Sequence, residues 1–131
     1  MILVYGETPA VADQVHLAVG RSPAAGIDLD YLVCTSNDEV RRAADEGLAD
    51  LLVLDGEAWP AGGLGIAREL KNSRTDCPPI IVLIERPDDA WLGAWSQADV
   101  VLSHPLDADA LTRAVVALLS GSPAAATKEH A

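Results

Sequence analysis

The chain has 131 residues, of which 50% are hydrophobic and 22% charged, values that suit one globular domain with a buried core. Nine lysines and arginines against twenty aspartates and glutamates give a net charge of -11. Such a charge repels phosphate backbones and anionic lipid. We therefore expect no nucleic-acid partner and no membrane insertion. A protein surface or a cation suits the chain better.

The two cysteines, Cys34 and Cys77, lie in separate segments without the spacing of a metal site or a disulfide framework. We interpret both as buried thiols. The first apolar run begins at Ile2, which leaves no room for a signal peptide. No apolar stretch reaches the roughly 18 residues of a membrane span. These features predict a cytoplasmic protein.

Short apolar runs alternate with amphipathic segments along the chain. The apolar runs, predicted as strands, are residues 2–5, 29–34, 51–54, 80–84 and 100–102. The amphipathic segments, predicted as helices, are residues 9–20, 38–46, 64–72, 88–96 and 108–119. Because nearly every strand residue is apolar, the sheet should be parallel and covered on both faces. The predicted fold class is α/β, a doubly wound three-layer sandwich around a five-stranded parallel sheet.

Side chains that favour helix ends support these boundaries. They are Ser36 or Asn37 and Asp107 before helices, and Gly20 and Gly47 after them. Residues 1–120 are therefore predicted to form one domain. Residues 121–131 have little large apolar surface and are predicted to be a flexible tail.

Polar residues follow several of the predicted strands: Glu7, Asp55, Glu85 and His104. In open α/β sheets, ligands bind at the carboxyl ends of the strands. Asp55 is the most informative of them, because it ends a fully apolar run and a helical pattern follows it after Pro60 and Gly63.

Four stretches of the chain share a family pattern: residues 2–9, residues 50–63, residues 79–84 and residues 98–106. On these stretches the chain resembles the receiver domains of bacterial two-component response regulators, over about residues 2–120. The resemblance implies a flavodoxin-like fold and a role in phosphorelay signalling.

The resemblance makes Asp55 the phosphoacceptor candidate. In receivers two acidic side chains at the end of the first strand help to hold Mg²⁺, and here that pair aligns with Gly6 and Glu7. Mg²⁺ would then be bound by Glu7, Asp55 and the backbone carbonyl of Glu57. Since one carboxylate is missing, Mg²⁺ should bind weakly, and we expect no cofactor to be required.

Further departures from the family pattern follow the last two strands. The lysine that pairs with the phosphoryl group is replaced by His104, which precedes Pro105, and histidine is mostly uncharged near neutral pH. The hydroxyl of the fourth strand aligns with Ile84, which cannot donate a hydrogen bond. The small residue after it aligns with Glu85, and the aromatic switch position with Val101.

Other residues that could carry chemistry have simpler structural interpretations. His104 as a zinc ligand or acid–base group has no second histidine nearby, so we interpret it as a partly buried turn residue. Residues 62–65 are rich in glycine but lack the Lys-Ser/Thr of a phosphate-binding loop, which favours a turn. No nucleophile motif of a hydrolase is present. We therefore expect the protein not to be an enzyme.

Trp91 and Trp95 indicate a partner surface. They lie four residues apart on the predicted helix 88–96, so both rings share one face. In receivers the usual docking surface combines this helix with the last strand, here with Val101, and the last helix. If exposed, the pair is a candidate hot spot. The alternative is that both rings fill the core of a chain that contains no phenylalanine.

We therefore expect an atypical, stand-alone response regulator that acts by phosphorylation-independent binding to another cytoplasmic protein or complex, with a homodimer left open. The first alternative is a conventional phospho-accepting regulator that uses Asp55 and Mg²⁺. An alternative of another class is a small-molecule-binding or enzymatic flavodoxin-like domain, because this fold hosts many activities.

Overall fold

A computed structural model describes residues 1–7, 10–56, 62–73, 77–85 and 96–120. The described strands are β1 Ile2–Tyr5, β2 Tyr31–Cys34, β3 Leu51–Asp55, β4 Ile80–Ile84 and β5 Val100–Ser103. The described helices are α1 Ala10–Val19, α2 Asn37–Asp45, α3 Gly63–Ser73 and α4 Ala108–Leu119. Most of the predicted helix 88–96 and the whole predicted tail 121–131 lie outside the described residues.

The five strands run parallel in one sheet, in the order β2-β1-β3-β4-β5. The strand order reverses between β1 and β3. The chain passes from β1 to β2 on one side of β1, and then crosses to β3 on the opposite side of β1. Such a reversal opens a crevice at the carboxyl ends of the two strands. The predicted doubly wound α/β fold is confirmed.

Alternate strand residues enter two apolar cores, one on each face of the sheet. On one face, residues such as Leu54 and Val82 pack with α2 and α3. On the other face, residues such as Val53 and Leu83 pack with α1 and α4. No residue of β4 is more than 1% exposed. This double burial explains why the strands are continuous apolar runs.

The helix ends follow the predicted signals. Ser36 is the N-cap of α2, and its hydroxyl accepts from the amide of Glu39 at 3.2 Å. Asp107 caps α4 and accepts from the amides of the residues that follow it. Gly20 and Gly47 have φ of 73° and 66°, the left-handed conformation that favours glycine after a helix.

β2 differs from its prediction at one end. It begins at Tyr31, whereas the apolar run predicted a start at Leu29. Leu29 is buried, but its amide donates to the carbonyl of Arg21 at 2.7 Å, so it packs from a loop rather than from the sheet. Burial alone therefore did not distinguish loop from strand here.

The thiols of Cys34 and Cys77 are both free. Cys34 lies in the core beside α2 and α3, where burial, and secondarily the negative charge of Glu39, raise its pKa to about 11. Cys77 is only half-buried, so the prediction of a buried thiol is right for Cys34 alone.

An ion pair joins α3 to the amino ends of β4 and β5. Lys71 Nζ lies 2.7 Å from Asp99 Oδ2, and the same oxygen accepts from the amide of Ile80 at 2.7 Å. The amide of Asp99 donates in turn to the Ile80 carbonyl at 2.9 Å. Asp99 thus binds a helix and a strand at once, a role that the sequence analysis did not identify.

Candidate functional site

The described residues of the predicted phosphoacceptor pocket lie at the carboxyl edge of the sheet. Tyr5 of β1 pairs with Leu54 of β3. The residues that follow them on the two strands, Gly6 and Asp55, are therefore neighbours. On the other side Asp55 pairs with Leu83 of β4. β4 in turn pairs with β5, which leads directly into His104.

Asp55 is the half-buried last residue of β3, and the residue after it packs closely on β4. The amide of Gly56 donates to the carbonyl of Leu83 at 2.7 Å. A Cβ at Gly56 would lie 2.8 Å from that carbonyl oxygen and 3.2 Å from Leu64 Cγ. Only glycine therefore fits without a backbone shift, a constraint that the sequence analysis missed.

Tyr5 is a second residue that the sequence analysis missed. Its side chain is fully buried at the end of β1. Burial raises the pKa of Tyr5, and the negative charges of Asp55 and Glu7 raise it further. Both carboxylates therefore act on one phenol, which places them at the same end of the sheet. The signal available in the sequence was an aromatic residue directly before the acidic pair position.

Gly6 and Glu7 occupy the end of β1. Gly6 is buried, and its amide donates to the carbonyl of Cys34 at 3.2 Å. Glu7 is exposed. This strand end therefore supplies one solvent-facing carboxylate where the receiver pattern has two acids.

The end of β4 carries an apolar residue followed by an acid. Ile84 is 1% exposed and packs in the core beside α2 and α3. Glu85, directly after it, is exposed. The position that the resemblance aligns with the receivers' hydroxyl thus carries a buried alkyl group, which cannot donate a hydrogen bond.

His104 and Pro105 form the turn after β5, and the peptide bond between them is cis. The amide of His104 donates to the carbonyl of Ile84 at 2.8 Å, which continues the β4–β5 pairing by one residue. His104 is half-buried, as the sequence predicted. It borders a surface groove together with Leu17 of α1.

The predicted partner surface is only partly described. Val101 of β5 is half-buried and packs against the core on the α2 and α3 side. Trp91 and Trp95 lie outside the described residues, so their exposure stays a prediction. Glu57, whose carbonyl was predicted as a metal ligand, also lies outside them.

The described side chains at this edge offer Mg²⁺ few ligands. Mg²⁺ demands near-octahedral oxygen coordination, and the carboxylates offered are the half-buried Asp55 and the exposed Glu7 and Glu85. Within the described part of the chain, no three Asp, Glu, His or Cys side chains are grouped to hold a metal ion.

No helix in the described ranges is both long and apolar enough to cross a membrane.

Comparison with solved structures identifies the same architecture in receiver domains. The signal receiver domain of a histidine kinase from Syntrophus aciditrophicus superimposes with a TM-score of 0.76 at 23% identity, covering 92% of this chain and 89% of that one. The receiver domain of the Francisella response regulator 1452 gives a TM-score of 0.74 at 20% identity, covering 92% and 96%. These likenesses show the fold.

Comparison with curated proteins shows the family. No protein-family model matches the chain. An uncharacterized response regulatory protein of Mycobacterium tuberculosis, found in two strains, is 44% identical over 119 residues, which cover 90% of each chain. With the parallel sheet and the site at its carboxyl edge, this identity establishes that the chain belongs to the response regulators of two-component signalling and folds as their receiver domain.

Proposed function

We propose that this receiver domain is an atypical response regulator, which binds another protein whether or not Asp55 is phosphorylated. The observation that carries the proposal is the set of side chains around Asp55. Three of the family's phosphoryl-handling groups are replaced there, by Gly6, Ile84 and His104. In this proposal the domain has no catalytic activity of its own and requires no cofactor.

The electrostatics of the site oppose phosphorylation. Glu7 and Glu85 are exposed carboxylates at the ends of the strands that flank β3, and a phosphoryl group on Asp55 would add negative charge beside them. Like charges repel strongly at a partly dehydrated protein surface. Among the described residues that directly follow the strands, no lysine or arginine offsets this charge.

The link from Asp55 to a docking surface is also missing. A modification switches a protein only if the two states differ in interaction free energy. In receivers that difference is conveyed by the hydroxyl of the fourth strand and the aromatic residue of the fifth. The buried Ile84 has no polar atom that could hydrogen-bond the phosphoryl group, and the half-buried Val101 has no aromatic ring.

The contrasting function is that of a conventional regulator, in which phosphorylation of Asp55 with Mg²⁺ creates the binding surface. The two functions differ in one observable quantity, the dependence of partner affinity on Asp55. Independent binding predicts that removing the Asp55 carboxylate leaves affinity within about 1 kcal/mol, below the typical allosteric coupling of about 1–3 kcal/mol.

The test is a quantitative pull-down from a lysate of the source cells with the wild-type protein, Asp55→Asn, and Asp30→Asn as a control. Asp30 is an exposed aspartate before β2, at the opposite end of the sheet. We expect all three baits to capture the same protein in equal amounts. A protein captured only after treatment with acetyl phosphate, and lost in Asp55→Asn, would instead establish the conventional regulator.

A further inference from the structure

We propose that the free edge of β2 is a docking site for a short extended segment of another protein, which carries lysine or arginine and joins the sheet as a further strand. This inference rests on the proposed function, because it names the surface that the partner binds and the chemistry of the bound segment. β2 is the last strand on its side of the sheet and pairs with β1 alone, so its other side is an edge.

The backbone of β2 has unused hydrogen-bonding groups along this edge. The carbonyls of Asp30 and Cys34 accept hydrogen bonds from β1, at 2.7 and 3.2 Å. Because successive strand residues alternate in direction, Leu32 also faces β1, whereas Tyr31 and Val33 direct their amides and carbonyls outward. Within the described residues, these four outward groups have no hydrogen-bond partner.

Both ends of the edge are closed by the chain itself. On the amino side, the amide of Leu29 donates to the carbonyl of Arg21 at 2.7 Å. On the carboxyl side, the amide of Thr35 donates to Glu39 Oε1 at 3.1 Å. The open edge is therefore limited to the groups of two residues, which suits a short segment rather than a long strand.

β2 lacks the features that commonly protect a sheet edge. Its residues, Tyr31–Cys34, include no charge and no proline, and their register with β1 is not interrupted by a bulge. The side chain of Val33 is 43% exposed at this edge. Proteins use charges, prolines and bulges to keep edges from pairing with other chains. An open apolar edge without them is a template for an added strand.

The charges at the two ends of β2 indicate a basic segment. Asp28 and Asp30 are exposed before the strand, and Asp38 and Glu39 are exposed after it. No lysine or arginine lies in residues 28–39, which contain the strand and both acidic ends. Lysines or arginines in the added segment would complement these carboxylates. A second copy of the chain, with its net charge of -11, would instead bring like charges together.

The α1 face of the edge adds a further acidic contact. The ring centroids of His16 in α1 and Tyr31 in β2 are 4.7 Å apart. His16 and Asp13 help to line a hollow of about 270 Å³. Side chains of paired strands that point to the same face are neighbours. A lysine or arginine of the added strand that points to the α1 face would therefore lie near the Asp13 carboxylate.

The experiment uses a synthetic peptide of alternating valine and lysine, about eight residues long, within the usual length of a strand. One control peptide has glutamate in place of every lysine. A second control keeps every side chain but has methylated backbone amides, so it cannot donate the hydrogen bonds of a strand. Affinity for the full chain is measured by fluorescence anisotropy of the labelled peptides, and the site by hydrogen exchange of the protein amides, followed by NMR.

In the free protein, the outward amides of Tyr31 and Val33 should exchange quickly, whereas the amides of Leu32 and Cys34, which face β1, should exchange slowly. The lysine peptide should bind and slow the exchange of the two outward amides about tenfold. Neither control peptide should bind.

Two variants of the protein test the edge itself. Val33→Pro removes an outward amide that β1 does not use, and it should weaken binding of the lysine peptide about tenfold. Val33→Lys keeps the amide but adds a charge to the edge, so it should also weaken binding and serves if proline disrupts β2. The control Leu48→Lys adds the same charge at an exposed leucine after α2 and should bind like the wild type.

No binding of the lysine peptide, equal binding of the methylated peptide, or equal binding by Val33→Lys and the wild type would overturn the docking site. Slow exchange of the two outward amides in the free protein would overturn it as well, because the edge would already be paired. A dimer seen by light scattering and lost in Val33→Lys would also overturn it, since the edge would then serve a second copy.

These results do not depend on Asp55, so the two proposals fail separately. The proposed function would stand if Asp55→Asn still captured the cellular partner, even if the peptide did not bind. It would fail if capture needed acetyl phosphate, whatever the result with the peptide.

Discussion

The interior of the sheet and its carboxyl edge differ in how closely they keep the receiver pattern. In the interior, every residue of β4 is apolar and at most 1% exposed. One residue beyond β4 is the exposed Glu85, which the resemblance aligns with a small residue of receivers. The interior determines the fold through burial, whereas the edge determines the chemistry through a few side chains. The edge can therefore change its chemistry while the fold stays the same.

The largest effect should come from the interior. Leu83 is fully buried in the core beside α1 and α4, so Leu83→Ala should lower the free energy of unfolding by about 2–5 kcal/mol. Leu48→Ala, at a leucine that is 45% exposed, should cost less than about 0.5 kcal/mol. Urea unfolding curves measure both. Equal losses in the two variants would contradict the assigned burial.

The amino end of the sheet should be the next most sensitive. Asp99→Ala removes the acceptor of the Ile80 amide and the partner of Lys71, so the unfolding free energy should fall by about 1–3 kcal/mol. Lys71→Met removes only the ion pair and should lower the unfolding free energy by a smaller amount. If Lys71→Met costs more than Asp99→Ala, the hydrogen bond to Ile80 is not the main contribution.

Alkaline pH should weaken the interior through Cys34. An unfolded cysteine has a pKa of about 8.5, and burial raises the pKa of Cys34 to about 11 in the folded protein. The resulting stabilisation is fully present below pH of about 8.5 and is lost as the pH rises through about 11. Tyr5 and Tyr31 also have raised pKa values and add to the loss at higher pH.

The measurement is the unfolding free energy at several pH values between neutral and strongly alkaline. The wild type should lose stability over this window, and Cys34→Ala should lose less. The same pH dependence in both proteins would show that Cys34 is not the titrating group.

The smallest predicted effect concerns Mg²⁺ at the carboxyl edge. Gly6→Asp should restore the missing acid beside Asp55 and tighten Mg²⁺ binding about tenfold. Gly65→Asp is the control, because this substitution adds the same charge at an exposed residue of α3. Calorimetric titration measures the Mg²⁺ affinity of the wild type and of both variants. Tight binding by the wild type, unchanged in Gly6→Asp, would mean that the ligands are misassigned.

The sequence was sufficient to predict the sheet because its strands are buried on both faces and are therefore continuous apolar runs. The caps Ser36 and Asp107 were predictable because their hydrogen bonds are local. The start of β2 was not predictable, because Leu29 is buried without joining the sheet.

The site was predictable where it depends on the order of strand ends. Gly6 and Asp55 are neighbours because the strand order reverses at β1. The Lys71–Asp99 ion pair and the close packing of Gly56 on Leu83 were not predictable, because both depend on local three-dimensional packing and not on strand order alone.

Intact mass after incubation with acetyl phosphate and Mg²⁺ tests whether the carboxyl edge supports phosphoryl transfer to Asp55. The proteins compared are the wild type, Asp55→Asn, and a variant with Gly6→Asp, Ile84→Thr and His104→Lys. We predict little or no added phosphoryl group on the wild type and measurable addition to the restored variant. Rapid, near-complete addition to the wild type that disappears in Asp55→Asn would show that Asp55 is an efficient phosphoacceptor and that the protein is a conventional regulator.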